Sequence, residues 1–337
     1  MKLVGSDEID MRHCEFKYLN ESEIVVISDL SINGETWIKP SHVSSGGICG
    51  FARIRTETEL FPGDVIQLGS QIQFEVHRFN FASASAQGVR PSMEDEDYCT
   101  DSLHAGSKCF SMFSVYDGHG GFECSKYLRN NFHSIFASFV ADATDVESAL
   151  SSTFRTADSQ FFQLFKEKGL SQNVGAVVNT VVIDDLAIYC ANLGDCRAIL
   201  GLFNGTVLNL SRDLKPGLRE ESERIHRLGA KVIGNRINGR LAVSRAIGDF
   251  EYKSSIGSET IVSSEPEIKK RPLDGSEEFL VLACDGLFDV MSSESVGNFV
   301  RNRISLDPNT ICVDLIAESV SKRGTTDNVT VIVVLFR

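Results

Sequence analysis

Apolar positions follow two regimes along the chain. Up to about residue 80 they come as short β-prone runs, Glu23-Ile24-Val25-Val26-Ile27, Thr36-Trp37-Ile38 and Ile72-Gln73-Phe74-Glu75-Val76, divided by Asn-Gly and Pro-Gly turns. This pattern predicts a small all-β module over residues 1–80. Phe81 to Gly88 is small and polar, as a connector is, and everything after it reads as one domain, 81–337. There Phe122, Leu128, Phe132, Ile135, Phe136 and Phe139 recur at near-helical spacing, and Val146, Leu150, Phe154, Phe161 and Phe165 do so again. Those two stripes predict a pair of helices whose aromatics fill a core and form no cofactor box. Strands are predicted at 110–116, 175–183, 187–192, 279–284 and 329–336, and further helices at 219–228, 296–304 and 311–320. Strands in hairpins combined with long paired helices point to an α+β fold, a two-sheet sandwich covered by helices, more than to an alternating parallel α/β fold.

Acids mark the ends of these strands. Asp117, Asp195, Asp285 and Asp327 each sit where an apolar run stops or starts. In Asp117-Gly118-His119-Gly120-Gly121 the aspartate can hold a cation, Gly118 offers an uncrowded carbonyl, and His119 titrates near neutrality. Alone, an Asp-Gly turn after a strand is also an ordinary loop. If the strand ends converge, carboxylates brought together without cations repel and raise one another's pKa, so the cluster implies bound metal. Oxygen donors of this hard type favour Mg²⁺ or Mn²⁺, whereas zinc recruits Cys or His. Arg90 stands four residues ahead of the pair Glu94-Asp95, which suits a guanidinium holding phosphate beside a metal. Asp195 and Asp249 also read as turn caps, Arg245 as an internal ion-pair partner, and Cys284 as a small buried hydrophobe.

Composition narrows the partners. With 46 acidic against 33 basic residues and a formal net charge of -13, the surface repels a phosphate backbone, which argues against nucleic acid. Anionic substrates then need a local positive focus, such as bound metal. Nine scattered cysteines form neither a disulfide framework nor a paired zinc signature, so a reducing compartment, cytoplasmic or nuclear, is expected. Met1-Lys2-Leu3-Val4-Gly5 lacks the apolar core of a signal peptide, and no run approaches the length of a membrane span.

The motifs Met93-Glu94-Asp95, Val115 to Gly121, Ala191-Asn192-Leu193-Gly194-Asp195, Leu241 to Asp249, Leu282 to Val290 and Thr326-Asp327-Asn328-Val329-Thr330 occur in that order. Through them the chain, from about Gln87 to Arg337, resembles the metal-dependent Ser/Thr protein phosphatases of type 2C. The resemblance implies a four-layer α-β-β-α sandwich, two antiparallel sheets flanked by helices, with metals in a cleft at one end. It implies that Asp117 bridges two ions, one also held by Glu94 and the Gly118 carbonyl, the other by Asp285 and Asp327. Asp195, with Asp285, would help hold a third and weaker ion. Arg90 would grip the substrate phosphate, His119 would protonate the departing Ser or Thr oxygen, and Asp95 and Asp289 would orient metal-bound waters. Phosphoprotein substrates and direct attack of water held between two cations follow. A cysteine-nucleophile route fails, because His13-Cys14 leads to Asn20 where that chemistry needs arginine. The alternative is a phosphatase-like scaffold or adaptor without turnover.

The chain departs from the type 2C pattern in three places: Leu214 replaces a usual histidine, Phe288 a usual tryptophan, and Val177-Val178-Asn179 interrupts a usual small-residue run after Gly175. None of them is a metal-ligand position. Phe250 to Ser264 falls where that family carries a variable flap, a place to look for substrate selectivity or a polar loop. Residues 1–80, through Arg12-His13-Cys14, Asp29 to Gly34 and Leu60 to Gly69, partly resemble the forkhead-associated (FHA) domain, which binds phosphothreonine peptides. Here Ser6 follows Gly5 where that family has arginine, and Asp10 stands near its serine; an aspartate repels phosphate. The alternative for this module is a purely structural role.

Overall fold

A computed structural model of the protein describes residues 14–75 through their strands, and residues 78–142, 145–253 and 259–336 continuously. The chain divides into two units, Met1–Asn80 and Phe81–Arg337. In the first, β1 (Cys14–Leu19), β2 (Ile24–Asp29) and β5 (Thr58–Leu60) form one antiparallel sheet in the order β1-β2-β5. A second antiparallel sheet, β4-β3-β6-β7, joins β3 (Thr36–Lys39), β4 (Ala52–Arg53), β6 (Val65–Leu68) and β7 (Ile72–Glu75). Gly5, Ser6, Asp10, Arg12-His13 and Asn33-Gly34, which bear on FHA-type recognition, lie outside the described residues, as do 254–258 of the flap segment.

In the second unit, β8 (Asn80–Ala86), β9 (Glu96–Ala105) and β10 (Lys108–His119) precede α1 (Glu123–Asp142) and α2 (Val146–Lys168). Then come β11 (Gly175–Ile183), β12 (Ala187–Leu193), β13 (Arg197–Leu202), β14 (Val207–Asn209), α3 (Arg219–Arg227), the short pair β15 (Val232–Ile233) and β16 (Arg236–Ile237), and β17 (Ile247–Gly248). The last part carries β18 (Glu267–Pro272), β19 (Glu277–Ala283), α4 (Asp285–Phe288), α5 (Ser293–Arg301), α6 (Pro308–Ala317) and β20 (Val329–Leu335). One sheet runs β18-β12-β11-β10-β9, with β17 also on β11; the other runs β14-β13-β19-β20-β8.

The aromatic stripes pack as their spacing requires. Phe132 and Phe136 of α1 and Phe154 and Phe161 of α2 are wholly buried against the first sheet, and Phe132 meets Phe154 edge to face at 5.0 Å between centroids. Asp145 caps α2 by accepting from Ser148 N, and Gly169 closes it in the left-handed conformation. On the far side α5 and α6 cover the alternate residues Phe279, Val281 and Ala283 of β19 and Val331 and Val333 of β20. The remaining faces meet between the sheets, where Phe113 packs edge to face on Phe81 of β8. The unit is thus the helix-covered pair of antiparallel sheets. No helix among the described residues is long and apolar enough to cross a membrane.

Candidate active site

Period-two alternation decides which acids meet. On β10, Met112 and Tyr116 join the core under the helices, so Phe113, Val115 and Asp117 point into the sandwich. On β19, Phe279, Val281 and Ala283 face α5 and α6, which turns Leu280, Leu282 and then Cys284 inward. Asp95, just before β9, joins them, and ligand atoms of Asp95, Asp117 and Cys284 lie within 4.8 Å of one another. Asp285, expected at a strand end, is the first residue of the short helix α4.

The loop 87–94 is pinned against the start of β20 by Asn328. Its Nδ2 donates to the carbonyls of Gln87 (2.8 Å) and Ser92 (3.0 Å), and its Oδ1 accepts from Glu94 N at 2.9 Å. That staple sets Arg90 beside Asp327, to which it donates from Nε at 2.8 Å and Nη2 at 2.6 Å. The other end of the loop packs on the last residues of strand β10: Ser125 Oγ of α1 donates to the Glu94 carbonyl, and a Cβ at Gly118 would collide with both groups. Glycine is required at 118 by this close approach.

The electrostatics are those of crowded acids. Burial lifts the Asp117 carboxyl well above its ordinary range, with the charges of Asp95, Asp285, Asp195 and Asp327 adding to it. Burial and Asp195 push Asp285 to about 8; burial and Asp327 push Asp95 to about 6. Asp95 Oδ2 is buried without a hydrogen-bond partner among the described residues. Asp195 is also raised by burial, against the pull of Lys215, whose Nζ lies 3.5 Å from Asp195 and 3.3 Å from Asp289. This hard-oxygen donor set with an orphaned buried carboxylate oxygen fits divalent cations.

Sequence reasoning missed three members of the site. Asn328 stands inside the motif Thr326 to Thr330 and Lys215 directly follows Leu214, yet nothing in their spacing announces a staple or a bridge. Asp249, read as a turn cap, is wholly buried, and its Oδ2 lies 2.7 Å from His119 Nε2. Burial opposes a charged ring at His119, but the Asp249 carboxylate outweighs it and lifts the pKa above the ordinary histidine range. Arg245 is an ion-pair partner, of buried Glu221 at 2.6 Å, and Cys284 is buried, donating its thiol to the Asn328 carbonyl. Leu214 is wholly buried, and Phe288 lies under the Arg197 guanidinium at 4.7 Å.

The sequence profile of protein phosphatase 2C matches residues 79–329. The chain belongs to the protein phosphatase 2C family. It is 37% identical over 267 residues to probable protein phosphatase 2C 27 of Arabidopsis thaliana, covering 77% of this chain and 69% of that one. Protein phosphatase 2C homolog 2 of Schizosaccharomyces pombe is 37% identical over 277 residues, covering 76% and 73%. Among solved structures, a serine-threonine phosphatase 2C from Toxoplasma gondii superposes with a TM-score of 0.66 at 21% identity, over 77% of this chain and 95% of that one, which supports the fold. As a protein phosphatase 2C, this chain is a metal-dependent protein serine/threonine phosphatase.

Proposed function

We propose that residues 81–337 hydrolyse phosphoserine and phosphothreonine in phosphoproteins by direct attack of water, with no covalent enzyme intermediate. The convergence of Asp117 with Asp95, Asp195, Asp285 and Asp327 at one end of the sandwich carries this reading. Glu94, Asp117, the Gly118 carbonyl, Asp285 and Asp327 would hold two Mg²⁺ or Mn²⁺ ions, and Asp195 with Asp285 a weaker third. Such cations supply water activated near neutral pH and offset the phosphate charge. Arg90 reaches from the rim to orient the phosphoryl oxygens by paired donors. Asp95, buried beside Asp117, orients water through its unpartnered Oδ2. His119 delivers a proton to the departing seryl or threonyl oxygen, which as an alkoxide is a poor leaving group.

The experiment is hydrolysis of a phosphothreonine peptide after chelation and after return of Mn²⁺ or Mg²⁺. Restored turnover supports the reading; none with either ion overturns it. Residues 1–80 are proposed as a separate β module, and a phosphothreonine peptide array with Asn33→Ala as control tests it for FHA-type recognition.

A further inference from the structure

From the geometry we infer that Asp249 is a positioning residue for His119: it holds Nε2–H and the ring rotation so that Nδ1–H of the imidazolium is presented to the leaving group, and the ring left after proton transfer is the neutral Nε2–H tautomer. This rests on His119 being the proton donor. An ionised carboxylate only accepts, so the 2.7 Å contact requires the proton on Nε2 and an Nε2–H that donates to Asp249 Oδ2. Nδ1, the other ring nitrogen, makes no hydrogen bond among the described residues and is left for the cleft.

The surroundings do not fit a turn cap. Asp249 takes the left-handed conformation at φ 53°, its side chain makes no capping bond, and it is wholly buried with Oδ1 unpartnered. A residue that merely turned the chain would leave its carboxylate in water. Its backbone is instead clamped from both sides. Asp249 N donates to Val174 O at 3.0 Å. Asp158 of α2 accepts from Gly248 N at 2.9 Å and from Lys253 Nζ at 2.6 Å. Lys253 also donates to Ala246 O at 2.9 Å, which ties the segment 246–253 to one helix.

Residue 175 supplies an independent sign. A Cβ built on Gly175 would lie 2.5 Å from Asp249 Oδ2 and 2.7 Å from His119 Nε2, nearer than real Cβ atoms approach. The pair therefore exists in this form only because the strand facing it carries no side chain there. His119 and Gly175 are register partners on β10 and β11, so the sheet itself sets this clearance.

The test compares Asp249→Asn, His119→Ala, the double variant and Gly175→Ala in the full chain with saturating Mn²⁺. Each is assayed on a phosphothreonine peptide and on p-nitrophenyl phosphate, whose leaving group needs no proton. Asp249→Asn and Gly175→Ala are expected to lower kcat about 10- to 100-fold on the peptide and at most about threefold on the aryl ester, with Mn²⁺ affinity unchanged by calorimetry. The double variant should lose no more than His119→Ala alone. Equal losses of Asp249→Asn on both substrates, or losses that multiply with those of His119→Ala, would overturn the inference. If His119→Ala shows the substrate contrast and Asp249→Asn does not, the inference alone fails; if His119→Ala shows none, the proton-donor reading fails with it. Imidazole ¹⁵N spectra of the wild-type chain, with His119 assigned from His119→Gln, need no stable variant at 249. They should show Nε2 protonated both in the imidazolium and in the neutral ring, and a neutral ring protonated at Nδ1 would contradict the inference.

Discussion

Arg90 and Asp327 form a bidentate pair, 2.8 Å and 2.6 Å, that joins the proposed phosphate-gripping residue to a proposed metal ligand. If Asp327 holds a metal ion as proposed, the guanidinium competes with that ion for the same carboxylate. The pair is solvent-exposed, so it is worth at most about 1 kcal/mol. Arg90→Ala should tighten Mn²⁺ binding by no more than about fivefold. The same change should raise KM for a phosphothreonine peptide by roughly tenfold or more, because the bidentate donors are gone. Calorimetry and steady-state kinetics on one preparation check both.

Metal binding should release protons. In the metal-free chain the carboxyls of Asp117 and Asp285 are raised by burial and mutual repulsion, Asp285 to about 8. Near pH 7 such groups hold protons that a cation must displace. Affinity for Mn²⁺ should therefore fall as pH drops from about 8 to 6, and calorimetry in buffers of different ionisation enthalpy should show net release. For the metal-free chain the sign is opposite to that of a salt-bridged acid. The native state binds more protons than the unfolded one, so its stability should decline as pH rises through 6 to 8.

Asn328→Ala should loosen the loop 87–94 by removing three bonds at once. Each buried bond contributes about 1 kcal/mol, so a loss of roughly 2–3 kcal/mol is expected in urea unfolding. Mn²⁺ affinity and peptide KM should both worsen, since Glu94 and Arg90 ride on that loop. Change in stability without change in either constant would count against the staple.

Glu221 provides a prediction about folding rather than catalysis. Burial alone would lift its pKa, yet Arg245 and Arg224 override it and hold the carboxylate at about 2. Its folded pKa lies below the unfolded value, so the stabilisation is present above about 4.5 and is lost as pH falls toward 2. Glu221→Gln leaves two part-buried guanidinium groups poorly paired and should cost about 3 kcal/mol at pH 7. Chemical unfolding across that pH range should show the variant and wild type converging in acid.

Much of this was legible in the sequence for simple reasons. The stripes of α1 and α2 follow the helical period, and Asp117, Asp195 and Asp327 stand at strand ends, where antiparallel pairing gathers side chains from distant segments. Asp285 was legible as an acid at the site but not as the first residue of a helix, since α4 is a single turn with no periodicity to read. Asp249 was not legible as a partner of His119, because 130 residues separate them and only the pairing of β17 with β11 brings them together. Lys215 carries a charge whose two partners come from different elements, Asp195 from just after β12 and Asp289 from the end of α4. Spacing along a chain reports periodicity within an element and is silent on loops that return from elsewhere.

The central claim is that the acids around Asp117 are a hydrolytic metal centre. The most direct measurement is Mn²⁺ affinity and phosphothreonine-peptide turnover on Asp117→Asn beside wild type. A fall in both together, by roughly 100-fold or more in kcat, is predicted. Turnover kept near the wild-type level in a folded Asp117→Asn chain would contradict the account.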